Sequence, residues 1–238
     1  MKTETLTYQD GTLNLQGLVA YDETAAGRRP GVVIMPDAFG ISPFVRERAE
    51  RLAKLGWVGM GADPYGNAFM AKDLQEGIKY AMELLGDPAK VRQRVRVAVD
   101  KLASLPQVDP DRIGVMGYCM GGTCSLEIAR SGAALKGVVS FHGTLATQAP
   151  ATAGTVKAKV LVCHGADDPF VPVAQVAGLA EEMTKAGVNW QLISYAGTVH
   201  SFTNPDAALI GAPGIAYNQR ADEHSWKSMV AFFSDAFA

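Results

Sequence analysis

The sequence predicts an α/β protein built on a mostly parallel central sheet with helices on both faces. Three observations carry that expectation. Short, continuously apolar runs such as Gly31-Val32-Val33-Ile34-Met35 suit strands covered on both sides. These runs alternate along the chain with segments of helical apolar spacing. Turn residues, such as Pro36 to Gly40, punctuate the carboxyl ends of the apolar runs.

Taken in order, residues 3–8 and 12–21 alternate polar and apolar side chains and read as a hairpin turning at Asp10-Gly11. A strand over 31–35 follows. Ser42-Pro43 then supplies a cap and a first-turn proline, and Val45, Ala49, Leu52, Ala53 and Leu55 recur at helical spacing up to Gly56. Further strands are expected over 58–62, 112–118, 137–141, 159–163 and 190–195. Helices are expected over 71–85, 88–105, 124–131, 173–185 and 221–236. Such alternation implies right-handed crossovers, with functional groups beyond the carboxyl ends of the strands. The 238 residues, without repeats or a convincing linker, are expected to form one domain over 1–238.

Composition excludes several function classes. The chain is 48% hydrophobic and 19% charged, enough apolar surface to bury a core. Its 22 basic and 24 acidic residues leave a formal charge of -2, so no net field favours nucleic acid or an anionic membrane. The first ten residues have no basic start or apolar run of the signal-peptide kind, and no apolar run approaches membrane-spanning length, which makes the cytoplasm the expected location. Three cysteines make no disulfide framework and have no partners at metal-ligand spacing, so no metal is expected.

The most informative segment is Ile113-Gly114-Val115-Met116-Gly117-Tyr118-Cys119-Met120-Gly121-Gly122, an apolar strand running into G-x-C-x-G and then a helix. This is the setting of a nucleophile elbow, where glycines relieve crowding around a strained turn residue. Cys119 would project over the sheet at a helix amino end, which favours negative charge there. The Met120 backbone N–H, with Ala38 supplying a second donor from the loop after 31–35, would form an oxyanion hole. Cys124, within the helix, and Cys163, within a strand, read as core residues.

An elbow nucleophile in this order needs an acid and then a histidine. Asp167 and Asp168 compete for the first role; Asp168 is preferred because G-x-x-D-x-x-V-P places it at the turn before Val171-Pro172. His200 lies in the loop after the strand ending at Tyr195 and is the expected base. His142 and His164 each end a strand, and either line the cleft or hydrogen-bond in its floor; His224, in the last helix, reads as structural.

With these motifs in this order, the sequence resembles the dienelactone hydrolase family, a branch of the α/β-hydrolases with cysteine in place of the elbow serine. The resemblance rests on Gly117-Tyr118-Cys119-Met120-Gly121-Gly122, on Asp168 with Phe170-Val171-Pro172, and on His200-Ser201-Phe202. It implies an α/β-hydrolase fold and hydrolysis of small carboxylic esters or enol-lactones through an acyl-thioester, without metal or organic cofactor. Two departures matter. Family members acting on dienelactone carry a glutamate that touches the thiol, where this chain has Asp37. They hold the substrate carboxylate with arginines, one of which falls where this chain has Thr203-Asn204-Pro205, and asparagine cannot form a bidentate ion pair.

Lys72, Lys79 and Arg92 are other conceivable cations, although solvated helix faces are the simpler reading. Phe39, Tyr65, Tyr118 and Asn204 are the candidate substrate contacts. The expected partner is a small-molecule ester or lactone, with a monomer or small homo-oligomer left open. Two competing readings are a redox-active cysteine protein without hydrolase activity, which gives Asp168 and His200 no reason to occur in hydrolase order, and a binding module that retains only the fold.

Overall fold

The computed structural model describes residues 1–238. Its amino-terminal hairpin pairs β1 (Lys2–Asp10) with β2 (Leu13–Tyr21) around a two-residue turn in which Gly11 has φ +59°. The remaining strands are β3 (Arg29–Met35), β4 (Val58–Gly61), β5 (Val108–Tyr118), β6 (Gly137–Phe141), β7 (Lys159–Gly165) and β8 (Trp190–Tyr195). All eight join one sheet in the order β1-β2-β4-β3-β5-β6-β7-β8. From β3 to β8 every neighbouring pair is parallel, and β2 joins β4 antiparallel. The expected mostly parallel α/β sheet is therefore present.

Alternation along these strands divides the core in two. Val33, Met35, Val115, Val138, Val160 and Val162 point to one face, which is covered by α2 (Leu74–Leu85), α3 (Pro88–Ala103), α4 (Met120–Arg130) and α5 (Val173–Lys185). Val32, Ile34, Met116, Tyr118, Val139 and Phe141 point to the other, under α1 (Pro43–Lys54) and α6 (Gln219–Phe237). No helix is long and apolar enough to cross a membrane.

Boundaries shift where local contacts outweigh propensity. α4 begins at Met120, four residues before the expected start, despite Gly121 and Gly122 in its first turn. Each glycine costs a helix about 1 kcal/mol, but a Cβ at position 121 would collide with the backbone of Met35 and Pro36, so close packing selects glycine there. α2 starts late because Asp73 caps it, its carboxylate accepting the Glu76 N–H at 2.9 Å. The chain also inserts an unexpected 3-10 turn over Pro205–Ile210, capped by Asn204, whose side-chain oxygen accepts the Asp206 N–H at 2.9 Å.

Candidate active site

The sheet gathers Asp37, Ala38 and Phe39 after β3, Tyr65 after β4, Cys119 after β5, His142 after β6, Asp168 after β7 and His200 after β8. All lie beyond the carboxyl ends of the strands.

Cys119 occupies a strained backbone position, φ +53° and ψ −118°, at the amino end of α4. Such a conformation costs a non-glycine residue about 1–3 kcal/mol and needs surrounding structure to hold it. That structure is visible. The Cys119 N–H is shared between the Phe141 carbonyl at 3.0 Å and His142 Nδ1 at 3.1 Å. Gly117 and Gly121 meet so closely that a Cβ on Gly117 would overlap the Gly121 carbonyl.

Cys119 Sγ lies 3.1 Å from His200 Nε2, and His200 Nδ1 lies 2.8 Å from Asp168 Oδ2. The other oxygen of Asp168 accepts the Phe170 N–H at 2.9 Å, which fixes the carboxylate plane. Asp168 is buried, whereas Asp167 is exposed and contributes only its backbone N–H, to Thr198. Burial opposes charge on His200, but its closeness to Cys119 Sγ and the hydrogen bond to Asp168 outweigh it and raise the imidazole pKa above its ordinary value. Phe170 meets the His200 ring edge-on, centroids 5.2 Å apart.

Met120 is the first residue of α4, so its N–H has no partner within the helix. The Ala38 segment is held from behind by Tyr65, whose hydroxyl donates to the Ala38 carbonyl at 3.0 Å and approaches Met120 Sδ at 3.3 Å. Asp37 Oδ1 accepts the Phe39 N–H at 3.0 Å and makes no hydrogen bond to the thiol. Burial pushes the Asp37 carboxyl up to about 6, against the opposing attraction of His200. A cleft of about 520 Å³ opens beside Asp37 and Phe39, with Phe44, Lys72, Asn204 and Leu209 among its walls. No group of three or more His, Cys, Asp or Glu side chains converges as a metal site.

Several expectations change here. Tyr118 cannot touch substrate: strand alternation turns it to the α1/α6 face, where it is 1% exposed and stacks on Phe141 at 4.7 Å. Lys72, expected on a solvated helix face, precedes the helix and lines the cleft. Arg92 is instead committed to Glu127, with its Nε and Nη2 at 3.0 and 2.8 Å from one carboxylate oxygen. Lys79 is exposed, its ammonium 5.8 Å from the Tyr80 ring centre. His224 is exposed on α6, and buried His164 leaves Nδ1 without a partner. Cys124 and Cys163 are fully buried.

Two supports take their roles only in the tertiary structure. His142 is neutral by geometry: Nδ1 accepts from Cys119, so Nε2 carries the proton toward Thr203 Oγ1 at 2.9 Å. Burial and the neighbouring His200 hold its pKa well below the ordinary histidine value. Asp63, wholly buried, gathers the backbone N–H groups of Gln16, Tyr65, Gly66 and Ala68 at 2.8–3.0 Å and shapes the loop after β4. Its place just after a strand was the only available signal.

A parallel sheet that turns through a cysteine elbow into a helix, with acid and imidazole on its last loops, places the chain among the α/β-hydrolases. Comparison with known sequences narrows this. The profile of the dienelactone hydrolase family matches residues 15–237, and the chain belongs to that family. It is similar to the crystal structure of the dienelactone hydrolase-like promiscuous phosphotriesterase P91 from metagenomic libraries, at 39% identity and a TM-score of 0.94, covering 100% of this chain and 99% of that one. A Bradyrhizobium protein provisionally named 2-oxo-3-(5-oxofuran-2-ylidene)propanoate lactonase is 31% identical over 85% of this chain and 86% of its own. A Synechocystis protein provisionally named carboxymethylenebutenolidase is 25% identical over 98% and 96% respectively.

Proposed function

We propose that this chain hydrolyses small carboxylic esters or enol-lactones, with Cys119 as nucleophile, His200 as base and then acid, and Asp168 orienting the imidazole. The observation that carries the reading is the unbroken hydrogen-bond line from Cys119 Sγ through His200 to Asp168. His200 Nε2 takes the thiol proton as sulfur adds to the carbonyl carbon. The resulting oxyanion sits between the Met120 and Ala38 N–H groups. Collapse breaks the acyl C–O bond, and His200 returns the proton to the departing oxygen, leaving a thioester on Cys119. Water, deprotonated by His200, then attacks the thioester; carboxylic acid leaves and the thiol re-forms.

Asp168 contributes by accepting from Nδ1–H, which leaves Nε2 as the working nitrogen and stabilises the imidazolium. The family membership and the lactonase and butenolidase names of the relatives support the substrate class. The P91 similarity makes a phosphate triester a sensible addition to the panel.

The test is turnover of p-nitrophenyl acetate and a small lactone panel by the purified protein, beside folded Cys119→Ala and His200→Ala. The expected result is a loss of at least about a thousandfold in both variants. Wild-type rates in both would sink the assignment. Absence of turnover with rapid, selective peroxide oxidation of Cys119 would favour a redox role instead.

A further inference from the structure

The cleft beside Asp37 differs in charge from what a carboxylate-bearing substrate requires. Its apolar walls include Phe39, Phe44 and Leu74, and at its mouth Leu209 is 84% exposed. Its charged side chains are Asp37, Asp73 and Asp206 against Lys72 alone, which leaves the acids in excess. Lys72 sits in an acidic segment: Asp73 is its chain neighbour, and its own backbone N–H donates to Glu76 Oε2 at 2.9 Å. An anion entering this cleft therefore shares it with three carboxylates and one ammonium. The remaining polar side chains of the lining are Ser42 and Asn204, and Asn204 has its side-chain oxygen engaged in capping the following turn.

Resting on the hydrolase reading above, we propose that this cleft selects uncharged or cationic esters carrying an apolar group, and discriminates against substrates bearing a free carboxylate. The apolar walls would bury an alkyl or aryl substituent, and Leu209 would lose its exposure on binding. An anionic substituent in the same place is repelled by the net charge and finds no bidentate cation to replace its lost hydration. Lys72, Asp73 and Asp206 all lie on the rim, so the effect should be moderate and salt-sensitive: roughly five- to tenfold at low ionic strength.

The experiment compares kcat/KM for p-nitrophenyl esters of matched length whose acyl ends are a methyl, a carboxylate or a trimethylammonium group. The carboxylate ester should fall about five- to tenfold or more below the methyl ester, and the gap should narrow at about 0.3 M NaCl. Asp73→Asn, which keeps the helix cap, combined with Asp206→Asn should narrow it as well. Equal or preferred use of the carboxylate ester, above all a preference abolished by Lys72→Gln, overturns the proposal while leaving the hydrolase reading intact.

Alkylation of Cys119 gives a readout that needs no turnover. The ratio of iodoacetate to iodoacetamide rates should rise in Asp73→Asn/Asp206→Asn. An unchanged ratio counts against the acidic field even if no ester is hydrolysed, whereas loss of all Cys119-dependent turnover with a risen ratio sinks the hydrolase reading alone.

Discussion

Replacing Asp168 by asparagine probes the site with little change of shape. The two oxygens of Asp168 have different partners: Oδ2 takes the His200 Nδ1–H at 2.8 Å and Oδ1 takes the Phe170 N–H at 2.9 Å. Asparagine has one oxygen for these two donors. If that oxygen stays with Phe170, the amide NH2 faces Nδ1, which must then accept, and the imidazole proton moves to Nε2 facing Cys119. The ring can then no longer take the thiol proton. If the amide flips, two donors face each other at Phe170, at a cost of about 1–3 kcal/mol. Even in that case the imidazolium loses its charged acceptor, worth about 1.5–3 kcal/mol, or roughly 10- to 150-fold in rate. The tautomer change takes the loss further; the same exchange in serine-protease triads costs about 10⁴-fold. The expected outcome for Asp168→Asn is therefore a fall in kcat/KM on p-nitrophenyl acetate of at least about a hundredfold, with a melting temperature showing that the fold persists. A folded variant within about threefold of wild type would refute the proposed role of Asp168.

Three further predictions address stability. The folded-state pKa of Asp37, raised to about 6 from the ordinary 3.8, means that the folded chain retains a proton between those values; wild-type stability falls as pH climbs through that window and stays lower above it. Asp37→Asn removes that fall and gains up to about 3 kcal/mol at neutral pH, read as the difference in melting temperature across a pH series; a difference that does not vary from pH 4 to 6 contradicts it. Arg48, 2% exposed, binds Asp222 at 3.1 Å and the Thr203 carbonyl, so Arg48→Met should cost about 3–5 kcal/mol in urea unfolding, and Asp222→Leu added to it should restore part; full stability of the single variant would show that the ion pair holds nothing. Tyr118 buries its hydroxyl without a partner, so Tyr118→Phe should equal wild type or exceed it by up to about 1 kcal/mol, and a clear loss would reveal an acceptor for that hydroxyl.

The network behind Cys119 shows how support reaches the elbow from remote segments. Arg48 on α1 ties Asp222 on α6 to the Thr203 carbonyl, Thr203 Oγ1 meets His142 Nε2, and His142 Nδ1 takes the Cys119 N–H. Its members are far apart in the chain, so no window of sequence shows that they meet. Tyr118 illustrates the converse. It stands next to the elbow cysteine in sequence, yet the strand period of two sends it into the opposite core.

What the sequence determined alone is what local physics encodes. Apolar runs and helical spacing specified the alternating elements, because burial on two faces or one leaves a distinct period. The G-x-C-x-G elbow marked Cys119, since a strained turn packed between backbones admits only glycine at its flanks. Chain order pointed to Asp168 and His200. Tertiary structure alone decided which side chains share a space: the turning of Tyr118 away from the cleft, the entry of Lys72 into it, and the engagement of Arg92 by Glu127. The reason is physical. Period and propensity depend on neighbours along the chain, whereas charge balance in a cleft depends on loops that only the packed sheet brings together.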